Sequence, residues 1–293
     1  MSKNLNLWLT AIRPKTLTAA VSPVLLGLSL AYYAGFFEPF IASLTLLAAI
    51  LIQAGTNLAN DVFDFEKGAD TEERLGPLRV TQAGLLTPKQ VKTGMYITFG
   101  VALIIGFYLA WVGGVPIVII GSAAILSGIA YTGGPYPLGY NGLGDIFVFL
   151  FFGLVAVPGT FYLQGGDLFN SNAILLGVCM GLMADGILIV NNVRDLITDE
   201  KSGKRTLAVR YGKVFSCVQF TLFMLLPFAA PFFLYHCVEP KLSWFLCLFG
   251  LPIAVSTVIS MWTKSDNQLN LTLIQTARIQ FLYTVLLSIG FIL

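Results

Sequence analysis

Hydrophobic residues in this 293-residue chain form long runs that are separated by short connectors of Gly, Pro or charged residues. A helix that crosses a bilayer needs about 20 apolar residues, and it satisfies its own backbone hydrogen bonds in lipid. The pattern therefore predicts an all-α polytopic membrane protein with about nine transmembrane helices. The predicted spans are residues 16–34, 41–62, 92–111, 115–131, 143–163, 172–193, 214–235, 242–262 and 271–293.

Composition supports one integral-membrane domain over residues 1–293. The chain is 56% hydrophobic and 11% charged, whereas soluble domains average about 25% charged residues. The net charge of +2 is too small to indicate a nucleic-acid partner. This composition indicates that the chain is embedded in the lipid bilayer, which is therefore a predicted partner.

The basic residues lie almost entirely on one side of the predicted spans. With alternating loops, 15 of the 17 Lys and Arg residues fall on the side that holds the N-terminus. Lys241 lies on the other side, and Arg278 falls inside the last span. The positive-inside rule makes the basic side cytoplasmic. We therefore expect a multi-pass protein of the cell (inner) membrane, with the N-terminus and the basic loops in the cytoplasm.

The first of two acidic clusters ends the second hydrophobic run. Asn57, Asn60, Asp61 and Asp64 are spaced i, i+3, i+4 and i+7, which places them on one face of a helix. Asp70 ends the pattern and is a further candidate. Carboxylates at a membrane boundary are costly unless they have a charged or polar partner, so the cluster predicts a functional site.

The second cluster ends the sixth run. Asn191, Asp195 and Asp199 are spaced i, i+4 and i+8, again as one predicted helix face. Asp61 and Asp195 are 134 positions apart, and Asp64 and Asp199 are 135 apart. A duplicated four-helix unit plus a ninth helix explains this offset, and such pseudo-repeated halves would bring the clusters face to face at one cavity mouth.

Oxygen ligands without His or Cys suit Mg²⁺, which is commonly bound by one or two carboxylates together with substrate phosphates. Basic residues that follow each cluster can contact the remaining phosphate oxygens, and the whole arrangement can stabilise a departing diphosphate. The predicted residues are Asp61, Asp64, Asp195 and Asp199 as catalytic residues and metal ligands, Asn57 and Asn191 as further metal ligands, and Lys67, Arg79, Lys204 and Arg205 as diphosphate ligands.

A Gly/Pro-rich loop over residues 131–142 holds Tyr131, Tyr136 and Tyr140 without any charge. These rings are candidates for contacting an aromatic acceptor or shielding a cation, although interfacial aromatics in a tight loop explain them equally well. Arg13 lies before the first span, where it serves as a topology anchor or turns inward to an anionic substrate. Asp185 lies within a span, so a cavity role is expected.

The pairing of Asn57-x-x-Asn60-Asp61-x-x-Asp64 with Asp195-x-x-x-Asp199 resembles the UbiA superfamily of intramembrane aromatic prenyltransferases, over nearly the whole chain. Further segments look like the branch that prenylates 1,4-dihydroxy-2-naphthoate in menaquinone synthesis. They are Arg13-Pro-Lys-Thr-Leu17, Arg79-Val-Thr-Gln-Ala-Gly84, Gly134-Pro-Tyr-Pro-Leu-Gly-Tyr140, Gly142-Leu-Gly-Asp145, Asn191-Asn-Val-Arg-Asp195 and Gly203-Lys-Arg-Thr-Leu207.

The resemblance implies a UbiA-type helical bundle and a Mg²⁺-dependent reaction. A polyprenyl diphosphate loses diphosphate, the naphthoate ring attacks the allylic cation, and carbon dioxide and a proton are lost to give demethylmenaquinone. One feature departs from many superfamily members, which carry Tyr-x-x-x-Lys in the loop after the fourth helix. Here Pro135 stands four residues after Tyr131, and that loop contains no Lys.

Three alternatives stay open from the sequence. An ion-coupled transporter also has repeats and acidic residues, but its acidic sites usually lie near the bilayer midplane. A CDP-alcohol phosphotransferase has an Asp-Gly-x-x-Ala-Arg run, which Asp185-Gly186 begins but does not continue. A sister prenyltransferase would use another acceptor, such as 4-hydroxybenzoate, homogentisate or chlorophyllide, or a phytyl donor.

Overall fold

The computed structural model describes residues 3–69 and 75–293, and all regular elements in these ranges are helical. Asp70 lies outside the described residues. The α-helices are α1 (Lys3–Ile12), α2 (Pro14–Tyr33), α3 (Pro39–Glu66), α4 (Pro88–Gly113), α5 (Val115–Ala130), α6 (Gly144–Phe149), α7 (Ala156–Leu163), α8 (Ser171–Arg194), α9 (Leu196–Lys201), α10 (Leu207–Leu225), α11 (Ala230–Cys237), α12 (Leu251–Thr263) and α13 (Leu269–Ile292). Short 3₁₀ turns cover Gly139–Asn141, Leu226–Ala229, Leu242–Gly250 and Asp266–Gln268.

Eight helical segments of the described chain are long and apolar enough to cross a membrane, close to the predicted nine. The remaining predicted span is α5, an apolar helix of 16 residues. The eight segments are Pro14–Tyr33, Pro39–Glu66, Pro88–Gly113, Gly144–Leu163, Ser171–Arg194, Leu207–Cys237, Leu242–Thr263 and Asp266–Ile292.

The span Gly144–Leu163 is not one regular α-helix, because a π-helical segment over Leu150–Val155 joins α6 to α7. The π segment lies against α8 at glycine contacts. A Cβ added to Gly153 would lie 2.5 Å from the carbonyl oxygen of Gly177, so the close backbone approach requires glycine. Single π turns inside helices are frequent at functional sites.

The helices pack as two associated groups. In the first half, α3 packs along α4, and in the second half α8 packs along α10 and α13, while α2 packs along α13 and links the two. The largest buried core lies in the second group and includes Trp244, Phe220 and Tyr283, all fully buried. The end of α3 carries the first acidic cluster, and the end of α8 leads into the second, as the proposed repeat predicts.

Candidate active site

A cavity of about 460 Å³ lies among α2, α3, α4, α5, the π segment, α7 and α8. Most of its wall consists of aliphatic and aromatic side chains, including Phe107, Ile117 and Phe152. On α3 the lining residues recur at helical spacing from Thr45 to Asn60, and the next turn of the same face reaches Asp64. The first acidic cluster therefore stands at the polar end of an apolar cavity.

Asp64 of the first cluster is 2% exposed. Its Oδ2 accepts a hydrogen bond from Arg79 Nη2 at 2.7 Å, and its Oδ1 accepts one from the Tyr140 hydroxyl at 2.7 Å. Arg79 also donates to the carbonyl oxygen of Asn60. The loop after α3 is thus folded back onto the cluster through one buried ion pair.

Asp61 and Asn57 make contacts that stabilise the fold. The two oxygens of Asp61 accept hydrogen bonds from the backbone N–H groups of Val80 (3.2 Å) and Thr81 (3.0 Å). Asn57 Nδ2 donates to the carbonyl oxygen of Ile12 at 2.8 Å and to the Thr16 hydroxyl at 2.9 Å. Both side chains were predicted as metal ligands, and in this structure they fasten neighbouring segments to α3.

The second cluster does not lie on one helix face, contrary to the prediction. Helix α8 ends at Arg194, Asp195 has backbone angles outside the helical region (φ −94°, ψ 9°), and Asp199 lies on the separate helix α9. At this break the Arg194 guanidinium donates two hydrogen bonds to Asp195, at 2.8 and 2.6 Å. Asn191 lines the cavity, one turn before Asp195.

Lys204 connects the two clusters. Its Nζ lies 3.4 Å from Asp199 Oδ1 and 3.9 Å from Asp64 Oδ2. Burial raises the pKa of Asp199 to about 6; the adjacent Lys204 opposes this shift, and the charge of Asp195 adds to it. The predicted meeting of the two clusters is therefore present, with carboxylates from both at one ammonium group.

Tyr140 lies between the two basic loops. The ammonium nitrogens of Lys67 and Lys204 each lie 4.9 Å from the centroid of its ring, within the range of cation–π attraction. Lys67 Nζ also donates to the carbonyl oxygen of Thr132 at 2.5 Å. Desolvation lowers the pKa of Lys67, and the charge of Lys204 lowers it further, while Asp64 opposes the change.

Tyr131 and Arg13 line the cavity. Tyr131 is partly buried, and a phenol keeps its proton at neutral pH. Arg13 joins α1 to α2 in a left-handed conformation (φ 53°), which is strained for a residue with a side chain. Its Nη2 lies 3.7 Å from Asp61, so Arg13 turns inward and is more than a topology anchor.

Some of the predicted site residues do not line the cavity. The side chain of Arg205 is exposed, and its backbone N–H donates to the Tyr140 carbonyl oxygen at 2.8 Å. Tyr136 is 62% exposed. Asp185 is buried but is absent from the cavity wall, because Ala184 and Leu188 hold the facing positions on α8. The predicted role of Asp185 stays a prediction, and Tyr136 and Tyr140 also do not line the cavity.

Two residues outside the list of predicted ligands also support the site. Asn60 lines the cavity and accepts a hydrogen bond from the Thr132 hydroxyl at 2.9 Å. Asn60 stands inside the first motif, which was an available signal. Arg194 is buried, and Nη1 donates to Asn270 Oδ1 at 3.0 Å while the rest of the guanidinium holds Asp195. Nothing in the sequence pairs Arg194 with Asn270 on α13.

The donor set fits a divalent cation that is shared with a phosphorylated ligand. Within residues 3–69 and 75–293, no group of three or more His, Cys, Asp or Glu residues is close enough to hold a metal ion without other ligands. However, Asp64 and Asp199 converge on the positive charge of Lys204. Two carboxylates plus phosphate oxygens form a usual Mg²⁺ environment, so these two residues are better candidates for metal ligands than Asp61 or Asn57.

Comparison with known proteins supplies the family. The model of the UbiA prenyltransferase family matches residues 20–285. The chain belongs to the UbiA prenyltransferase family. It is therefore a prenyltransferase, and its apolar helices make it a multi-pass membrane protein. The resemblance inferred from the two Asp motifs is confirmed.

Several known proteins align with most of the length of this prenyltransferase. A 1,4-dihydroxy-2-naphthoate octaprenyltransferase of Haemophilus influenzae is 36% identical over 100% of this chain and 98% of the relative. The protein of the same description from Escherichia coli is 41% identical over 71% of this chain and 69% of the relative. A solved UbiA homolog from Archaeoglobus fulgidus, bound to DMAPP and Mg²⁺, is 14% identical with a TM-score of 0.62, covering 96% of this chain and 99% of that one. This last likeness concerns the fold.

Proposed function

We propose that this prenyltransferase transfers a polyprenyl group from polyprenyl diphosphate to 1,4-dihydroxy-2-naphthoate, with loss of carbon dioxide, as a step of menaquinone biosynthesis. The observation that carries the proposal is the meeting of both acidic clusters with Lys67, Arg79 and Lys204 at the polar end of an apolar cavity. This arrangement matches a substrate with a highly charged head and a long apolar tail.

The diphosphate head belongs at the polar end. Asp64 and Asp199 would hold Mg²⁺, which, when bound, neutralises charge that develops on the departing diphosphate. Lys67 and Lys204 supply point charges for the remaining oxygens. Arg79 keeps Asp64 oriented through their 2.7 Å ion pair. The exposed Arg205 contributes mainly the hydrogen bond from its backbone N–H to the Tyr140 carbonyl oxygen.

The apolar tail belongs in the cavity, where burying each CH₂ group contributes about 0.8 kcal/mol. The cavity wall includes strongly exposed residues, such as Phe107 at 75% and Val118 at 51%, so the cavity is open at this wall. A tail that is longer than the cavity can therefore remain in contact with lipid.

The acceptor belongs between the diphosphate end and the tail. Arg13 is the cationic side chain in the cavity wall, and it is our candidate for contacting the acceptor carboxylate. Tyr131 is a neutral phenol in the same wall, able to donate a hydrogen bond or to face the allylic cation with its ring. Asn57, Asn60 and Asn191 add amide groups to the polar part of the lining.

The step balances in atoms and charge. The C–O bond of the donor breaks, and diphosphate takes the electron pair. The ring carbon that bears the carboxylate forms the new C–C bond, and carbon dioxide leaves from that carbon. The proton of the acid form is released when the acceptor carboxyl ionises. The prenylated diol that results is the reduced form of demethylmenaquinone.

Two observations favour this function over the alternatives. The relatives described as 1,4-dihydroxy-2-naphthoate octaprenyltransferases support the naphthoate as acceptor. The carboxylates stand at the ends of α3 and α8, and not at mid-helix as in an ion-coupled transporter. The basic loops beside them support a cytoplasmic active site.

The deciding experiment supplies purified full-length protein with a panel of prenyl diphosphates and aromatic acids, with and without Mg²⁺. We expect product and released carbon dioxide from 1,4-dihydroxy-2-naphthoate only when Mg²⁺ is present. If 4-hydroxybenzoate or homogentisate is prenylated and the naphthoate is not, a sister-branch function replaces this one.

A further inference from the structure

The turn Gly139–Asn141 is fastened to the second basic loop by its backbone. The N–H of Arg205 donates to the Tyr140 carbonyl oxygen at 2.8 Å, and Arg210 Nη2 donates to the Asn141 carbonyl oxygen at 2.7 Å. Gly142 follows with φ +76°, and a Cβ there would lie 2.7 Å from the Arg205 carbonyl oxygen. Glycine is therefore required for this close approach, and Tyr140 is held at a defined position.

The ring of Tyr140 is also fixed at its far end. Its hydroxyl donates to Asp64 Oδ1 at 2.7 Å, while Arg79 occupies the other carboxylate oxygen. The side chain thus spans from the second basic loop to the first acidic cluster. Since the backbone and the hydroxyl are both bonded, the ring has little freedom to rotate away.

Two lysines from different halves of the chain share this ring. Lys67 follows α3, Lys204 follows α9, and each Nζ lies 4.9 Å from the ring centroid. Two ammonium groups repel one another, so their convergence on one ring needs compensation. The aromatic face and the carboxylate of Asp64 provide part of it. A bound polyanion would provide the rest.

This convergence also accounts for the departure from Tyr-x-x-x-Lys. The loop after α5 has Pro135 where many superfamily members have a lysine. Its aromatic residue Tyr140 instead gathers lysines from the two neighbouring loops. Tyr140 lies outside the cavity wall, so its position suits the head of the donor better than the acceptor ring, which was one of the alternatives left open by the sequence.

We propose that Tyr140 is a positioning residue that holds the ammonium groups of Lys67 and Lys204 on one aromatic ring, where both receive the diphosphate of the donor. The proposal rests on the proposed function for the identity of the ligand. It assigns the ring to diphosphate binding and the hydroxyl to the orientation of Asp64.

The test measures binding of inorganic pyrophosphate with Mg²⁺ to purified full-length protein by titration calorimetry. Tyr140→Phe keeps the ring, so we expect pyrophosphate affinity within about threefold of wild type. Because this variant loses the hydroxyl that orients Asp64, we expect the pyrophosphate affinity to depend less on Mg²⁺. Tyr140→Leu removes the ring, and we expect about tenfold weaker pyrophosphate binding, as the loss of two cation–π contacts implies. Tyr96→Leu, which removes a 63% exposed ring on α4, is the matched control and should bind as wild type does.

A second series separates the ring's charge interaction from its shape. Position 140 is filled with phenylalanines that carry an increasing number of ring fluorines, which weaken the attraction for cations at nearly constant size. Pyrophosphate affinity should fall stepwise while the unfolding temperature stays constant. If the wild-type protein binds pyrophosphate and the fluorinated variants bind it equally well, Tyr140 does not position the two lysines through its ring. A wild-type protein that binds no pyrophosphate with Mg²⁺ contradicts the proposed function itself.

Discussion

The ammonium nitrogen of Lys204 lies 3.9 Å from a carboxylate oxygen of Asp64, so the second basic loop contacts the first acidic cluster directly. The same nitrogen lies 3.4 Å from Asp199. One positive charge therefore connects carboxylates from the two halves of the chain. The predictions below separate residues that act on the donor from residues that hold the site in shape.

Asp199→Asn is expected to lower kcat for prenyl transfer by at least about 100-fold, a loss comparable to removing one preorganised electrostatic contact. The physical reason is that an amide cannot replace the negative charge of the carboxylate that we propose as a metal ligand. The measurement is pyrophosphate release at saturating Mg²⁺. Glu200→Gln changes the exposed neighbour and should keep wild-type turnover. Wild-type rates in Asp199→Asn would refute the two-cluster mechanism.

Asp61→Asn is expected to lower the free energy of unfolding by about 1–3 kcal/mol, because each carboxylate oxygen accepts a backbone hydrogen bond and the amide keeps only one acceptor. Denaturant titration in detergent checks this value. Glu66→Gln, on the same helix, breaks a more exposed ion pair with Lys92, which should cost less than about 1 kcal/mol. Equal stability of the two variants would contradict the fold-stabilising role of Asp61.

The stability of the metal-free protein should fall as pH rises from about 4 to about 6. Burial raises the pKa of Asp199 to about 6, so the folded state holds this proton more tightly than the unfolded state does. Above about pH 6 the ionised, buried carboxylate costs about 3 kcal/mol. The difference in unfolding free energy between wild type and Asp199→Asn isolates this effect. A difference that does not change with pH would show that Asp199 has an ordinary pKa.

Gly153→Ala is expected to destabilise the bundle by about 1–3 kcal/mol through overpacking. The added Cβ would lie 2.5 Å from the Gly177 carbonyl oxygen, so the π segment must move away from α8. Because Phe151 and Phe152 of this segment line the cavity, we also expect a higher KM for the prenyl donor. Gly100→Ala has open space around its Cβ and is the control. An unchanged KM in a folded Gly153→Ala protein would show that the position of the π segment does not affect binding of the prenyl tail.

Membrane orientation can be tested with cysteines. The span Leu207–Cys237 begins beside the second basic loop, and Cys237 is exposed at its other end, while Cys179, Cys217 and Cys247 are buried. We expect a membrane-impermeant maleimide to label Cys237 in right-side-out vesicles. Glu200→Cys combined with Cys237→Ser should be labelled only after the vesicles are opened. The reverse pattern would place the active site outside the cytoplasm.

Several properties followed from the sequence because they depend on local pattern. Apolar runs that are long enough to cross a membrane predict helices, since lipid excludes water and the backbone N–H and C=O groups must then hydrogen-bond to one another. The cluster Asn57 to Asp64 was predicted on one helix face, and it lies on α3. The offset between the clusters predicted that they meet, and Lys204 contacts both. The two Asp motifs identified the family.

Only the tertiary structure decided which side chain serves which purpose. Asp61 and Asp64 are three residues apart with similar burial, yet one holds backbone amides of the following loop and the other holds Arg79 and Tyr140. At the break after α8, Arg194 donates to Asp195 and also to Asn270 of α13. Tyr140 gathers two lysines that local sequence does not connect. Such roles arise from contacts between distant segments, and helical periodicity carries no information about them.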